Sequence, residues 1–133
     1  MLGLEERLQP GLRAAQDQGA YTGEVGPAML ADAGVEAVLV AAEWVRGPLK
    51  EHHWRTLLHA RAIENTVFVA ASDHPPPLGV GHSTVVDPQG VEIAAVGTGT
   101  GVAVAHLEPE AISRVRRVNP ALALRRFTVV PRG

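Results

Sequence analysis

Two apolar runs with one amphipathic stretch between them constrain the fold of this chain more than any other feature. "VEAVLVAAEW" (35–44) and "TVFVAA" (66–71) are almost continuously apolar, which is typical of strands buried on both faces of a sheet. In "LKEHHWRTLLHARAIEN" (49–65), apolar residues recur at three- and four-residue steps and predict an amphipathic helix. Pro48 suits the first position of this helix, and Asn65 suits its C-cap. The order strand, helix, strand predicts a parallel pair with a right-handed crossover.

Shorter elements are predicted on either side of this unit. "AMLADAG" (28–34) predicts a helix that ends with Gly34 in the left-handed conformation. Asp87-Pro88-Gln89-Gly90 has the residues of a type I turn, and the apolar stretches around it predict a hairpin. "GVAVAHLE" (101–108) predicts one more short strand, and a last helix is expected from Pro109. The side chains expected to face inward on that helix are Ala111, Ile112, Val115 and Val118.

Length, charge and composition argue against several classes of protein. The 133 residues fit one domain. The net charge is −2 and aromatic residues make up 4%, so neither a basic patch nor a base-stacking surface for nucleic acid is expected. No apolar run approaches the roughly 20 residues of a membrane helix, and the N-terminus lacks the pattern of a signal peptide. A cytoplasmic protein with no membrane partner is predicted.

Four blocks resemble the C-terminal half of the nitrilase (carbon–nitrogen hydrolase) superfamily and occur in that family's order over roughly residues 30–127. They are "LADAGVEAVLVAAEW", "HHWRTLLHARAIENTVFVAA", "GHSTVVDPQGVEIAAVG" and "EPEAISRVRRVNPALALRRF". The resemblance implies an α/β fold that is half of a nitrilase-type α-β-β-α sandwich, a mixed sheet with helices packed on one face. Residues 30–133 are assigned to this half-domain, and residues 1–29 to a poorly matched N-terminal segment.

Arg61 and Glu64 stand in "RAIEN", where the helix gives way to the second buried strand. Their i, i+3 spacing places them on one face of the helix, close enough to pair. The resemblance implies that this pair helps to order the chain at the junction. A structural ion pair is therefore favoured over a chemical role, and an exposed surface pair is the alternative.

The family's catalytic set is not recognisable in this chain. The resemblance implies a cysteine nucleophile, a glutamate base and a lysine that stabilises the tetrahedral intermediate. The cysteine would fall between Gln18 and Tyr21, but the sequence has no cysteine, and only Glu24 matches the pattern that normally follows it. No catalytic residue and no cofactor are assigned. The expected function is a truncated or degenerate carbon–nitrogen hydrolase, inactive alone. A structural or regulatory subunit that docks on another chain is the alternative.

Histidines and glycines supply two weaker candidate sites. His52, His53 and His59 lie on one predicted helix, but no two are four residues apart and there are no thiolates to join them, so no metal site is assigned. The run Gly97–Gly101 alternates glycine with threonine but lacks the lysine of a phosphate loop. A hairpin turn between two strands is expected there instead.

Ser83 and Trp44 are two further candidate residues for the site. Ser83 is a candidate nucleophile with His82 or His74 as base, although adjacent residues of a strand point to opposite faces. Trp44 ends the first buried strand at the edge where α/β sheets bind ligands. It is assigned as a candidate pocket wall, with a core tryptophan as the equal alternative.

Two expectations concern how the core is closed. Residues 1–25 lack apolar periodicity, so they are predicted to be loosely packed or helical and not an inner strand. The resemblance implies that a complete domain stacks two sheets, one from each half of the chain. With one half present, one sheet face is left uncovered, which predicts a homodimer through that face. A nitrilase-like partner chain is the alternative.

Overall fold

The structure is a computed structural model that describes the backbone of residues 14–16, 27–128 and 130, and the side chains of residues 30–128 and 130. Five strands are present in the described residues: β1 (Ala14–Gln16), β2 (Ala37–Ala42), β3 (Phe68–Asp73), β4 (Thr84–Val86) and β5 (Glu92–Ala95). The helices of the same part of the chain are α1 (Pro27–Asp32), α2 (Lys50–Asn65) and α3 (Pro109–Val118).

The five strands form one mixed sheet in the order β1-β2-β3-β4-β5. β1, β2 and β3 are parallel, and β4 and β5 continue the sheet antiparallel. β2 and β3 pair over their whole lengths, from Ala37 opposite Phe68 to Ala42 opposite Asp73, and α2 connects them. The predicted α/β class and the strand–helix–strand unit are confirmed.

The main core lies between α2 and one face of the sheet. Trp54, Leu58 and Ala62 recur at four-residue steps on α2 and are completely buried. They form one apolar cluster with residues such as Val38 on β2 and Val69 on β3, which are neighbours across the sheet. The continuous apolar runs and the helical stripe of the sequence therefore meet in this layer.

A smaller cluster lies on the opposite face, where Ile112 of α3 packs against Ala37 and Phe68. Ala37 and Phe68 alternate with the core residues Val38 and Val69, so α3 contacts the face turned away from α2. Val118, which the periodicity predicts to face inward, is 88% exposed. It is the last residue of α3, and α3 covers only the end of the sheet where β2 and β3 begin.

The ends of α2 differ by a residue or two from the predicted ones. The helix begins at Lys50 and not at Pro48, because Leu49 takes the left-handed conformation with φ 61°. At the other end Asn65 is still helical, and Thr66 is the left-handed C-cap with φ 50°. Its backbone N–H donates to the carbonyl of Ile63, which closes the helix.

The helical or loose structure predicted for residues 1–25 is wrong for Ala14–Gln16, which form β1 parallel to β2. Backbone pairing with a buried neighbour here outweighs local helical propensity. β1 lies at the edge of the described sheet, so it is not an inner strand there. Residues 1–13 and 17–26 lie outside the described residues.

The predicted strand at residues 101–108 is not formed. The stretch keeps an alternating pattern of exposure, and Val102 and Val104 are 89% and 85% exposed. A strand requires a hydrogen-bonded neighbour, and none of the described strands pairs with this stretch. The expectation that Gly97–Gly101 joins two strands is wrong for the same reason.

No helix within the described residues is long and apolar enough to cross a bilayer.

The predicted β4–β5 hairpin is confirmed, and its turn gives a test of local backbone strain. Gly90 has φ 81°, and its N–H donates to the carbonyl of Asp87 at 2.9 Å. A Cβ at this position would also overlap the side chain of Ile63 on α2. Gly90→Ala should therefore lower the free energy of unfolding by about 1–2 kcal/mol or more.

The matched control is Gly99→Ala, because no atom lies within 4 Å of a Cβ there. It should change the free energy of unfolding by less than about 0.5 kcal/mol. Urea titrations of both variants measure the difference. Equal stabilities would show that the turn does not require a glycine.

Candidate functional site

The candidate site lies at the edge of the sheet where the parallel strands end. A crevice of about 380 Å³ opens there between the ends of β2 and β3. Its lining residues are Ala41, Ala42, Glu43, Ser72, Asp73, His74 and Pro75. Because β1 runs parallel to β2, its carboxyl end lies at the same edge. Open α/β sheets bind ligands at this edge.

Asp73, the last residue of β3, holds the two loops that leave this edge. Its side chain is buried, and its Oδ1 accepts a hydrogen bond from the backbone N–H of Trp44 at 2.7 Å. Its Oδ2 accepts from the backbone N–H of Val80 at 2.8 Å. Both carboxylate oxygens are thus engaged by backbone donors of separate loops. Asp73 positions these loops beside the crevice.

A glycine makes this arrangement sterically feasible. A Cβ at Gly79 would overlap the carbonyl oxygen of His74 and the carboxylate of Asp73. Gly79 also forms an isolated antiparallel bridge with Val45, which ties the loop after β3 to the loop after β2. Sequence reasoning missed Asp73, although an acid at the end of an apolar strand was a visible signal.

Trp44 follows β2, and its side chain packs on the core. Its ring lies 5.8 Å from that of Trp54, centroid to centroid, and its Nε1 donates to the carbonyl of Lys50 at 2.9 Å. The ammonium group of Lys50 lies 4.9 Å from the centroid of the Trp44 ring. Trp44 is not among the residues that line the crevice. The structure places this candidate pocket-wall residue beside the crevice, with its ring turned to the core.

Arg61 and Glu64 form an ion pair between Arg61 Nη1 and Glu64 Oε1. Their side chains are 26% and 46% exposed, so the pair lies at the surface of α2. Nearby, the Asn65 side chain donates to the carbonyl of Arg61 at 3.0 Å. Asn65 thus adds a second hydrogen-bonded contact to the last turn of the helix.

Arg116 of α3 contributes to the same junction from 50 residues away. Its Nε donates to Oγ1 of the buried Thr66 at 3.0 Å, and the Thr66 hydroxyl lies 2.7 Å from the carbonyl of Asn65. The handover from α2 to β3 therefore depends on a long-range contact as well as on the "RAIEN" motif. Sequence reasoning missed Arg116, since no local pattern links the two positions.

Ser83 and its candidate bases are not assembled into a catalytic pair. The Ser83 hydroxyl oxygen accepts from the backbone N–H of Asp73 at 3.0 Å and lies 3.3 Å from the Asp73 carbonyl. His82 instead has Nε2 at 3.8 Å from Glu51 Oε2. His74 lies at the exposed surface of the crevice. Ser83 thus anchors β4 to the end of β3.

The three histidines of α2 do not share one set of contacts. The rings of His52 and His53 are 6.1 Å apart, whereas Nδ1 of His59 lies 2.9 Å from the carbonyl oxygen of Gly90. Within residues 30–128, no three histidine or acidic side chains are grouped so as to hold a metal ion. The segment Gln18–Tyr21 and Glu24, where the resemblance implies the nucleophile and its neighbours, lie outside the described residues.

Comparison with known proteins agrees with this architecture. The profile of the carbon–nitrogen hydrolase family matches residues 25–117. "Putative protein YbeM" of Escherichia coli K12 and the deaminated glutathione amidase of Escherichia coli O157:H7 are each 44% identical over 94 residues. These alignments cover 71% of this chain, but only 50% of YbeM and 36% of the amidase.

Solved structures show the same fold. Nit3 of Saccharomyces cerevisiae is 35% identical with a TM-score of 0.66, and the match covers 86% of this chain and 43% of Nit3. The NitFhit protein of C. elegans is 27% identical with a TM-score of 0.70, and the match covers 86% of this chain and 29% of that protein.

The mixed sheet and its crossover helix define an α/β domain of the nitrilase fold. The chain belongs to the carbon–nitrogen hydrolase family. It spans half of the length of YbeM and about a third of that of the amidase.

Removal of the Asp73 carboxylate tests its role at the edge. Asp73→Ala would leave the backbone N–H groups of Trp44 and Val80 without this acceptor in a buried setting. Each such group costs about 1–3 kcal/mol, so the free energy of unfolding should fall by about 2–6 kcal/mol. Glu43→Ala, at an exposed position of the same crevice, is the control and should have little effect. A loss below about 1 kcal/mol for Asp73→Ala would contradict this role.

Breaking the Arg61–Glu64 pair is predicted to cost little stability. Because both side chains are partly exposed, Glu64→Ala should lower the free energy of unfolding by less than about 1 kcal/mol. A double-mutant cycle with Arg61→Ala isolates the pair from other effects of each change. A loss of 3 kcal/mol or more, about what breaking a buried pair costs, would show that the pair is shielded from water.

Proposed function

We propose that these 133 residues form the C-terminal half of a carbon–nitrogen hydrolase domain that does not hydrolyse amides by itself. The proposal rests on one observation: a family whose chemistry needs a thiolate nucleophile is matched here by a sequence without cysteine. In that chemistry the thiolate attacks the amide carbon, and a cation offsets the charge that develops on the oxygen. The half-domain is thus a truncated or degenerate member of its family.

Two groups at or beside the crevice that could be taken for a substitute nucleophile are held by the backbone. The Asp73 carboxylate is held by two backbone N–H groups, and the Ser83 hydroxyl is held by the backbone of Asp73. Within the part of the chain that the structure describes, the hydrogen bonds of these two groups run to backbone atoms and not to a histidine that could act as a base. These contacts support a site whose loops are held in place but whose catalytic groups must be supplied by other residues.

The substrates to test follow from the relatives. One matched relative is a deaminated glutathione amidase, and another, from Saccharomyces cerevisiae, is named omega-amidase NIT3. A third, from Bacillus subtilis, is named 2-oxoglutaramate amidase. Any activity in which this half-domain takes part is therefore proposed to act on carboxamides of this kind.

The purified chain should release no ammonia from 2-oxoglutaramate, and no hydrolysis product from deaminated glutathione, above the rate of a protein-free blank. The intact deaminated glutathione amidase of Escherichia coli O157:H7 serves as the positive control. Turnover by the pure chain would overturn the proposal. Loss of that turnover in Ser83→Ala, but not in Ser113→Ala at an exposed position of α3, would assign a serine nucleophile.

A structural or regulatory subunit is the second candidate function. The chain spans half or less of its first relatives, and the described residues leave part of one sheet face uncovered. Both observations fit a subunit that completes another chain. Addition of an N-terminal half that carries the glutamate, lysine and cysteine of a relative should restore amide hydrolysis if this candidate holds. No gain in rate, with no complex by size-exclusion chromatography, would exclude it.

A further inference from the structure

A groove of about 420 Å³ lies at the edge of the sheet opposite the crevice. It is bounded by the last turn of α2, the turn between β4 and β5, and the second half of α3, and we term it the α3 groove. β3 begins and β4 ends at this edge, since Val69 pairs with Val86, whereas the crevice lies where β3 ends. The α3 groove and the crevice are therefore separate.

The α3 groove also lies away from β1. In the sheet order β1 is three strands from β4, which at about 4.8 Å between neighbours is about 14 Å. All of the residues that line the α3 groove belong to the part of the chain that the structure describes.

Local contacts hold the walls of the α3 groove in place. The Asp87 carboxylate accepts hydrogen bonds from the backbone N–H groups of Gln89 and Val91 at 2.8 and 2.9 Å, which fixes the turn. Gly90 of the same turn packs so closely on Ile63 of α2 that a Cβ would overlap its side chain. Small-molecule sites are usually largely pre-formed, with volumes of about 300–1,000 Å³. The α3 groove meets both conditions.

Four of the seven lining residues are apolar: Ile63, Pro88, Val115 and Val118. Ile63 is 46% exposed and Val118 is 88% exposed, so the apolar wall is open to solvent. Exposed apolar surface with a polar rim is typical of ligand-binding grooves. The rim here consists of two carboxamides and one guanidinium, from Gln89, Asn119 and Arg114. Because Arg114 is the one charged residue among the described lining residues, charge complementarity favours a ligand with an anionic group.

The ion pair that Arg114 forms is a weak competitor for such a ligand. Its Nη2 lies 3.3 Å from Glu108 Oε2, and the two side chains are 55% and 58% exposed. Ion pairs this open to water contribute little. An arginine has five N–H donors, so a second carboxylate can bind beside that of Glu108 or replace it.

The surrounding charge also favours an anion. The net charge of the chain is −2, but residues 111–128 contain five arginines and no acidic residue. Two of them, Arg116 and Arg117, lie in the last turn of α3, where they offset the negative end of the helix dipole.

We propose that the α3 groove binds a small carboxylate with an apolar tail, of the medium-chain fatty acid type. The carboxylate accepts hydrogen bonds from the Arg114 guanidinium, and the tail lies against Ile63, Val115 and Val118. This site goes beyond the proposed function, because it lies at the opposite edge of the sheet from the crevice. Its occupancy does not depend on whether the chain hydrolyses amides.

A titration of the full chain followed by ¹H–¹⁵N NMR spectra tests the proposal. Octanoate is the probe, acetate keeps the charge without the tail, and octanamide keeps the tail without the charge. Octanoate should shift the backbone signals of Ile63, Gln89 and residues 114–119. It should bind about 10-fold or more tightly than either acetate or octanamide.

Three variants at exposed positions test the role of Arg114. Arg114→Gln should weaken octanoate binding by about 10-fold or more, because it removes a charge-assisted hydrogen bond. The matched control is Arg117→Gln on the same helix, which does not line the α3 groove and should change the affinity by less than about 2-fold. Glu108→Gln should strengthen binding by about 2-fold or more, because it removes the competing carboxylate. Circular dichroism of each variant verifies that it has folded.

Three results would overturn the proposal. The first is an octanoate titration that shifts no signal from the α3 groove. The second is binding of acetate or octanamide as tight as that of octanoate, since charge or tail alone would then explain it. The third is an equal loss of affinity in Arg114→Gln and Arg117→Gln, which would show general attraction to the arginine-rich end of the chain. Ammonia release, which tests the proposed function, is unaffected by any of these results.

Discussion

The parallel pairing of β2 with β3 beneath α2 is the constraint on which the other features depend. Two parallel neighbours need a crossover connection, and that connection must cover a sheet face. Trp54, Leu58 and Ala62 provide the covering stripe and are completely buried. Burial of each large apolar side chain contributes about 1.5–3 kcal/mol, so this layer supplies much of the stability. It also brings the carboxyl ends of both strands to one edge, where the crevice lies.

At that edge one carboxylate holds two loops in place. Asp73 joins the loop after β2, through the N–H of Trp44, to the loop after β3, through the N–H of Val80. The requirement for a glycine at position 79 follows from the same close approach. The loops beside the crevice are therefore ordered by hydrogen bonds between one buried carboxylate and backbone N–H groups.

The two faces of the sheet differ in how far the described residues cover them. One face is closed by α2 and holds the main core, so the half-domain has the means to fold. Within the described residues, the other face is covered in part by Ile112 of α3 and continues into an uncharged groove. The described residues thus keep the architecture of a carbon–nitrogen hydrolase domain, in a sequence that has no cysteine.

Much of the fold and some of the site could be predicted from the sequence alone. The apolar runs, the helical stripe and the Asp87–Gly90 turn are local patterns, and each is encoded within a few residues of where it acts. The lack of cysteine is likewise read directly. Tertiary structure determined the rest. β1 forms because it pairs with β2 as a parallel neighbour, whereas residues 101–108 pair with none of the described strands. It also brought Asp73 to the backbone of Trp44, 29 residues away, and Arg116 to Thr66, 50 residues away. Such contacts depend on where the folded chain brings distant groups together, and no local periodicity carries that information.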